Sequence, residues 1–333
     1  MPNNLHNILG ILKICKDNPA SLPESYRQIL QDFQGFGNHK ELLSVSDGTA
    51  DGTVTLSVLR SIYPDRYAEV LRQLKASTLS SFFTPPAVVN ALAQSLREVF
   101  TTYGIRPRTF LDPSAGTGAF LKVAPPDCTK MLVEKDIVTA DLLQLLTFRD
   151  PTVKVLNAPF ETICPALNGT AFKEPFDLIA SNIPFGNYSV YDSDFQKRGG
   201  IYRQSMKRIH TYYFAKSLDL LADKGILAFI TTRAICDTAD LQPLRQHIAD
   251  QADLLSAVRL PDNLFKCGVG TDLLIFRKDE SKTQLSERDN IFINSHLFPT
   301  ELTAETEGHA LATEIKPGTD PYGRPAIRYL WKQ

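Results

Sequence analysis

Cysteine, tryptophan and methionine are scarce in this chain of 333 residues, which has five, one and three of them respectively. The cysteines (Cys15, Cys128, Cys164, Cys236, Cys267) are odd in number, scattered, and form no CxxC pair. The six histidines show no ligand spacing either, so neither a disulfide framework nor a metal site is expected, and free buried thiols are. No apolar run approaches the length of a membrane span, and the stretch from Met1 to Ala20 lacks a signal-peptide core ending in a small-residue cleavage site. Those absences predict a cytoplasmic chain without a membrane partner. Charge of one sign is also missing: 36 Lys and Arg face 37 Asp and Glu, for a net charge of −1. Any nucleic-acid surface is therefore a local basic patch and not a global property. A hydrophobic share of 43% and a charged share of 22% describe an ordinary globular protein, long enough for one full core plus an accessory domain.

What is present centres on Thr109 to Leu121, TFLDPSAGTGAFL. A short apolar run, an acid, a Gly-rich turn and a further apolar segment make the strand–turn–helix grammar of a nucleotide-binding α/β unit. Gly116 and Gly118 allow positive φ and a close backbone approach to a ligand. Phosphate fits poorly there. No Lys-Ser/Thr pair follows the glycines, and Leu121 stands where the dinucleotide fingerprint wants Gly or Ala. Asp112 at the strand's end would repel a pyrophosphate but suits a ligand with an ammonium and a sulfonium. S-adenosylmethionine has both.

The string DPSAGTGAF resembles motif I of the amino-methyltransferases that modify adenine in DNA, a family that includes the modification subunits of type I restriction systems. Upstream, SFFTPPAVVNALAQSLREVF reads as an amphipathic helix with Thr84 as its cap and Pro85 in its first position. Its FFTPP also resembles motif X of that family, which implies that Phe83 and Thr84 hold the methionine end of the cofactor beside Asp112, Ser114, Gly116 and Gly118. Met131 to Glu134 is a short strand ending in an acid. Glu134 is placed to accept the ribose hydroxyls, with Asp136 as the solvated alternative. After the next strand, Val153 to Leu156, the family often has Asp-Phe; here Pro159-Phe160 leaves Phe160 to pack on the adenine ring.

The fourth strand, Phe176 to Ala180, runs into Ser181-Asn182-Ile183-Pro184-Phe185-Gly186. This resembles motif IV, [DNS]PP[YFW], with Ile183 in place of the first Pro. The chemistry explains the residue types. An exocyclic amine is a weak nucleophile because its lone pair is delocalised, and two acceptors on its hydrogens aim that pair at the sulfonium methyl. Asn182 Oδ1 and the carbonyl of Ile183 are those acceptors, Asn182 also adjoining the cofactor. Phe185 would stack on an extruded base. Ile183 keeps the carbonyl and Pro184 keeps it extended, but an extra N–H now wants a partner. Restoring Pro there is expected to keep or raise activity.

Between Asn187 and His210, the residues Lys197, Arg198, Arg203, Lys207 and Arg208 stand against Asp192 and Asp194, in a segment that also holds Tyr188, Tyr191 and Tyr202 and is hinged at Gly199-Gly200. Two readings stay open: a solvated mobile loop, or a loop that holds phosphates and closes over the target. A helix from His210 to Ala222 ends near Gly225, and strands follow at Ile226 to Thr231, Leu254 to Leu260 and Thr271 to Arg277. The joining PDNLFKCGVG resembles the ending of type I modification subunits.

The expected division is a helical accessory domain (1–78), a methyltransferase domain (79–278) and a C-terminal extension (279–333). The resemblance implies a Rossmann-like α/β fold with a seven-stranded sheet whose last strand is antiparallel. It implies a site-specific DNA methyltransferase acting on the N6 amine of adenine with S-adenosylmethionine and no metal, alongside a separate specificity or helicase partner. The alternatives are an RNA or protein-glutamine methyltransferase, or a decayed nucleic-acid-binding module.

Overall fold

The computed structural model describes residues 5–33, 35–39, 50–78, 83–163, 175–265, 269–298, 312–320 and 323–331. The strands are β1 (Thr109–Asp112), β2 (Thr129–Glu134), β3 (Val153–Asn157), β4 (Phe176–Asn182), β5 (Leu221–Thr232), β6 (Ala252–Arg259) and β7 (Thr271–Lys278). They form one sheet of seven strands in the order β3-β2-β1-β4-β5-β7-β6. Strand pairing is parallel for β1 with β4, β2 with β3 and β4 with β5. β7 runs antiparallel to its neighbours β5 and β6. The order reverses between β1 and β4, the kind of switch point at which open α/β sheets bind ligands beyond the carboxyl ends of their strands. β4 and β7 are near-continuous apolar runs, FDLIA and LLIF, because strands inside such a sheet are covered on both faces. Among the described residues no helix is long and apolar enough to cross a membrane.

The chain groups into two compact units, and these do not follow the division at 78 and 278. The first holds Met1–Ile105 and Asp112–Phe160, the second Arg106–Leu111 and Glu161–Gln333. In the first unit, helices α1 (Leu5–Cys15), α2 (Glu24–Gln31), α3 (Ala50–Ile62) and α4 (Tyr67–Ser77) precede α5 (Pro86–Tyr103) and α6 (Ile137–Thr147). Ile8, Leu9 and Leu12 of α1 and Val70 and Leu74 of α4 share one core with Ile137, Val138 and Leu142 of α6. The N-terminal helices thus bury their apolar stripes against a helix of the Gly-rich half. α5 buries Val88, Val89, Leu92 and Leu96. It stops at Gly104, whose φ of 64° lets the amide of Ile105 return to the carbonyl of Phe100 at 2.9 Å, a left-handed C-terminal cap. The apolar segment after the Gly-rich turn forms only a 3-10 turn, Ala119–Val123, because the next strand must begin at Thr129.

The second unit carries α7 (Ser193–Arg198), α8 (Gly200–Ser205), α9 (Ile209–Leu220), α10 (Ala234–Asp237), α11 (Gln242–Ala249) and α12 (Glu287–Ile293). α9 ends directly in β5, which begins at Leu221, so Gly225 lies within the strand and does not punctuate the helix. The C-terminal residues are part of this unit. Ser286 and Asp289 form a reciprocal capping box on α12. The buried guanidinium of Arg245 reaches the carbonyls of Ile293, Ile235 and Thr238 at 2.9, 3.0 and 2.8 Å. A hairpin of β8 (Glu314–Thr319) and β9 (Pro325–Leu330) was not visible in the sequence pattern. It is pinned by Asp262, which accepts from Arg328 Nε at 2.8 Å and from the Tyr329 amide at 3.0 Å. A two-stranded hairpin is marginal alone, and the buried carboxylate supplies its anchor.

Candidate active site

In the first unit the Gly-rich turn is built from both glycines. Gly116 has φ +55° and Gly118 φ +85°, values that cost a side-chain residue steric strain. A Cβ on Gly118 would lie 2.9 Å from Cδ1 of Leu143, and one on Gly116 would lie 2.9 Å from Cε1 of Phe83. The FFTPP phenylalanine therefore packs on the turn it precedes in sequence. Phe83 also meets Phe33 edge-on, with ring centroids 5.7 Å apart, so the N-terminal helical residues set its position.

Glu134 sits at the end of β2 with its carboxylate turned to the same turn. Oε2 accepts from the amide of Gly116 at 2.9 Å and Oε1 from the amide of Asp136 at 2.8 Å. Burial, with the charges of Asp136 and Asp112 nearby, pushes its pKa up to about 8. Asp136 is not a solvated alternative. It is buried, caps α6 through the amide of Thr139 at 2.8 Å, and accepts from Ser77 Oγ at 3.1 Å. Asp112 is fully buried, and its Oδ1 accepts from the amide of Ser114 at 3.1 Å. Thr84 does not cap α5: Pro85 is the N-cap residue and Pro86 opens the helix. Instead Thr84 is buried and its Oγ1 has no hydrogen-bond partner. An orphaned hydroxyl, an aromatic wall and a turn without Cβ atoms suit a polar ligand with a compact end, and S-adenosylmethionine fits these groups. Phe160 lies beyond β3, enclosed at 1% exposure.

In the second unit β4 delivers Asn182 to its last position, paired in register with Ile230 of β5. The amide of Ile183 donates to the carbonyl of Ile230 at 3.1 Å, and the Ile183 side chain is 1% exposed. The extra N–H brought by the missing Pro has thus found a ladder partner, and its side chain has joined the core. Pro184 and Phe185 are half-buried. A Cβ on Gly186 would stand 2.9 Å from Cε1 of Tyr188, so this turn too is kept bare under an aromatic ring.

The segment after the turn is not a long loop. Asp192 is buried and accepts from Tyr212 Oη at 2.7 Å, Lys216 Nζ at 2.9 Å and the amides of Asp194 and Phe195 at 2.9 and 3.2 Å. It caps α7 and ties it to α9. Arg198 pairs with Asp219 and lies 3.4 Å from the centroid of the Tyr202 ring. Arg208 donates to Asp240 at 2.7 Å, and Arg203 to the carbonyl of Gln196 at 3.2 Å. Lys197, Arg203 and Lys207 are exposed. Of the five basic residues, Arg198 and Arg208 are therefore already paired with acids.

One residue beside the turn escaped the sequence reading. His210, in the first turn of α9, is 2% exposed, and its ring faces the backbone of Gly186. Its helical context masked it, since a histidine on an apolar helix face gives no chemical signal by itself. Cys15, Cys128 and Cys236 are free and buried. Among the described residues no cluster of His, Cys, Asp or Glu could hold a metal ion.

Residues 151–314 match the family model described as N-6 DNA Methylase. Over 238 residues, 68% of this chain, the sequence is 26% identical to Defense against restriction protein B of Escherichia phage P1, of which the match covers 10%. Over 251 residues, 72% of this chain, it is 24% identical to the type II methyltransferase M.CvrRI of Paramecium bursaria Chlorella virus XZ-6E, of which the match covers 58%. Among solved structures, a class I S-adenosylmethionine-dependent methyltransferase from Listeria monocytogenes superposes with a TM-score of 0.53 at 17% identity, covering 85% of this chain and 89% of that one. The methyltransferase subunit of a type I restriction-modification system from Streptococcus thermophilus superposes with a TM-score of 0.52 at 14% identity, covering 86% and 74%. These two structural likenesses carry the fold, and the sequence match carries the family. Residues 151–314, with the Asn182–Phe185 turn among them, match the N-6 DNA methylase family model, and the chain has the fold of the class I S-adenosylmethionine-dependent methyltransferases.

Proposed function

We propose that this chain transfers the methyl group of S-adenosylmethionine to the N6 amine of adenine in DNA. The observation that supports this most is the amide of Ile183 bonded to the carbonyl of Ile230. It keeps the Asn182–Phe185 backbone at the carboxyl end of β4 although the first proline of the motif is gone. In this reading Phe83, Thr84, Asp112, Ser114, Gly116, Gly118, Glu134 and Phe160 hold the cofactor, whose sulfonium supplies an electrophilic methyl. Asn182 Oδ1 and the Ile183 carbonyl accept the two hydrogens of the amine. They draw its lone pair out of conjugation and stabilise the positive charge that grows on nitrogen. Phe185 stacks on the extruded base and replaces the stacking lost from the duplex. Lys197, Arg203 and Lys207 meet phosphates, which position the strand and carry no sequence information. Site selection then falls to a separate specificity or helicase partner, in keeping with a relative of which the match with this chain covers only 10%.

The test is calorimetry with S-adenosylmethionine, followed by transfer of a labelled methyl to mixed-sequence DNA. The DNA is digested to nucleosides, and RNA and protein are offered in parallel. Label in N6-methyladenine is the expected result. Label in RNA or protein alone, or none in any acceptor despite bound cofactor, would replace this reading.

A further inference from the structure

Tyr191 is an aromatic side chain that the proposed chemistry does not use, and it is 72% exposed. The chain that carries it is nonetheless fixed on both flanks. Val190 donates its amide to the carbonyl of Met206 at 2.9 Å. Asp192 donates its amide to Met206 Sδ at 3.3 Å, and its buried carboxylate accepts from Tyr212 Oη and Lys216 Nζ at 2.7 and 2.9 Å. Asp192 is extended, with φ −127° and ψ 120°, and along an extended chain successive side chains point to opposite sides. Burial of Asp192 thus turns Tyr191 outward, where a contact has only two side-chain torsions left to order. Tyr191 stands six positions after Phe185, a reach of at most about 20 Å, and the exposed Lys197 and Arg203 follow in the same unit. Tyr188 is committed elsewhere, its ring lying against Gly186.

Extruding a base breaks its stacking on both neighbours and leaves a gap in the duplex. Phe185 serves the extruded base, so a second planar group is required to fill the space it leaves. An aromatic ring does so whatever the bordering bases are, since every base has a π-face, and insertion of apolar side chains between base steps is a general way of holding DNA distorted. We propose that Tyr191 inserts into the gap that the extruded adenine leaves and stacks on the bases that border it. The proposal rests on the reading above for the extrusion of a base. Stacking neutralises no phosphate, so this contact strengthens binding without adding to its salt dependence.

The experiment uses the full chain in parent, Tyr191→Phe and Tyr191→Ala forms. Equal melting curves and cofactor calorimetry are expected for all three, because the side chain is exposed. The probes are a mixed-sequence duplex, the same duplex with one internal abasic nucleotide, which holds a gap already, and the corresponding single strand. The parent should prefer the gapped duplex to the intact one. The Ala variant should bind the gapped duplex about tenfold more weakly, the scale of one lost base–aromatic stack, with the slope of affinity against salt unchanged. The Phe variant, which keeps the ring, should match the parent, and binding of the single strand should hardly change in either. A gapped duplex with 5-iodouracil beside the abasic nucleotide should crosslink to residue 191 on illumination, as read by mass spectrometry of the peptides. Equal affinity of parent and Ala variant for the gapped duplex, an equal loss on the single strand, or crosslinks only at other residues would overturn the proposal and leave Tyr191 a solvated ring. Methyl transfer to the intact duplex is read separately. Ring-dependent binding of the gap without transfer would sink the methyltransferase reading and keep the wedge; transfer that survives loss of the ring undiminished would do the reverse.

Discussion

The amide of Gly116 donates to the Glu134 carboxylate at 2.9 Å, joining the Gly-rich turn after β1 to the acid that ends β2. The same glycine has no room for a Cβ on its other side, where Phe83 stands. Gly116→Ala is expected to displace the Phe83 ring and to carry roughly 1–2 kcal/mol of backbone strain from its positive φ. Cofactor affinity should fall about tenfold or more, the equivalent of about 1.4 kcal/mol. Calorimetry on the folded variant checks this, and parental affinity would remove the turn from the cofactor site.

Glu134 sets a pH dependence of stability. Its folded-state pKa of about 8 lies above the ordinary 4.5, so the folded state binds the proton more tightly than the unfolded chain. The stability this contributes is complete below 4.5 and is lost as pH rises through about 8. Its slope is at most about 1.4 kcal/mol per pH unit. Melting temperature against pH should fall more steeply across that window in the parent than in Glu134→Gln. Superimposed curves would show that the carboxyl titrates normally.

Ile183→Pro is now expected to lower stability and not to raise activity. Proline removes the donor that bonds the Ile230 carbonyl. Introducing it where the N–H was already paired destabilises despite a stiffer unfolded chain, by about 1 kcal/mol. Denaturant titration with methyl transfer in parallel tests this. A more stable variant would mean that the ladder bond contributes nothing.

Asn182→Ala removes one of two acceptors for the amine. Turnover should drop by roughly 10²–10³-fold, as for loss of one preorganised hydrogen-bonding group, while cofactor affinity holds. Equal loss of turnover and cofactor binding would assign Asn182 to the cofactor and not to the amine.

The exposed cations should differ from the paired ones. Replacing Lys197, Arg203 and Lys207 together with Ala should weaken DNA binding and lower its salt slope by about one per lost phosphate contact. Arg198→Ala should instead loosen α7, because its guanidinium is held by Asp219 and the Tyr202 ring. Affinity measured across a salt series decides. An unchanged slope in the triple variant would make this face merely solvated.

The order of motifs, the seven strands β1 to β7 of the main sheet, and the two turns at Gly116 and Phe185 were legible in the sequence alone. Each rests on local chemistry: apolar runs of strand length, glycines where φ must be positive, and a proline that holds its neighbour extended. Tertiary structure alone decided what depends on partners far along the chain. Glu134 and Asp136 are two acids in one short stretch, and only the packing of α4 and α6 makes the second a buried cap that receives Ser77, 59 residues earlier. The basic segment reads as a loop because its organiser, Asp192, finds Tyr212 and Lys216 only 20 and 24 residues later. The C-terminal hairpin likewise depends on Asp262, 66 and 67 residues before the groups it holds. A buried carboxylate is stable only where several donors converge on it, and that convergence is a property of the folded chain, not of any window of its sequence.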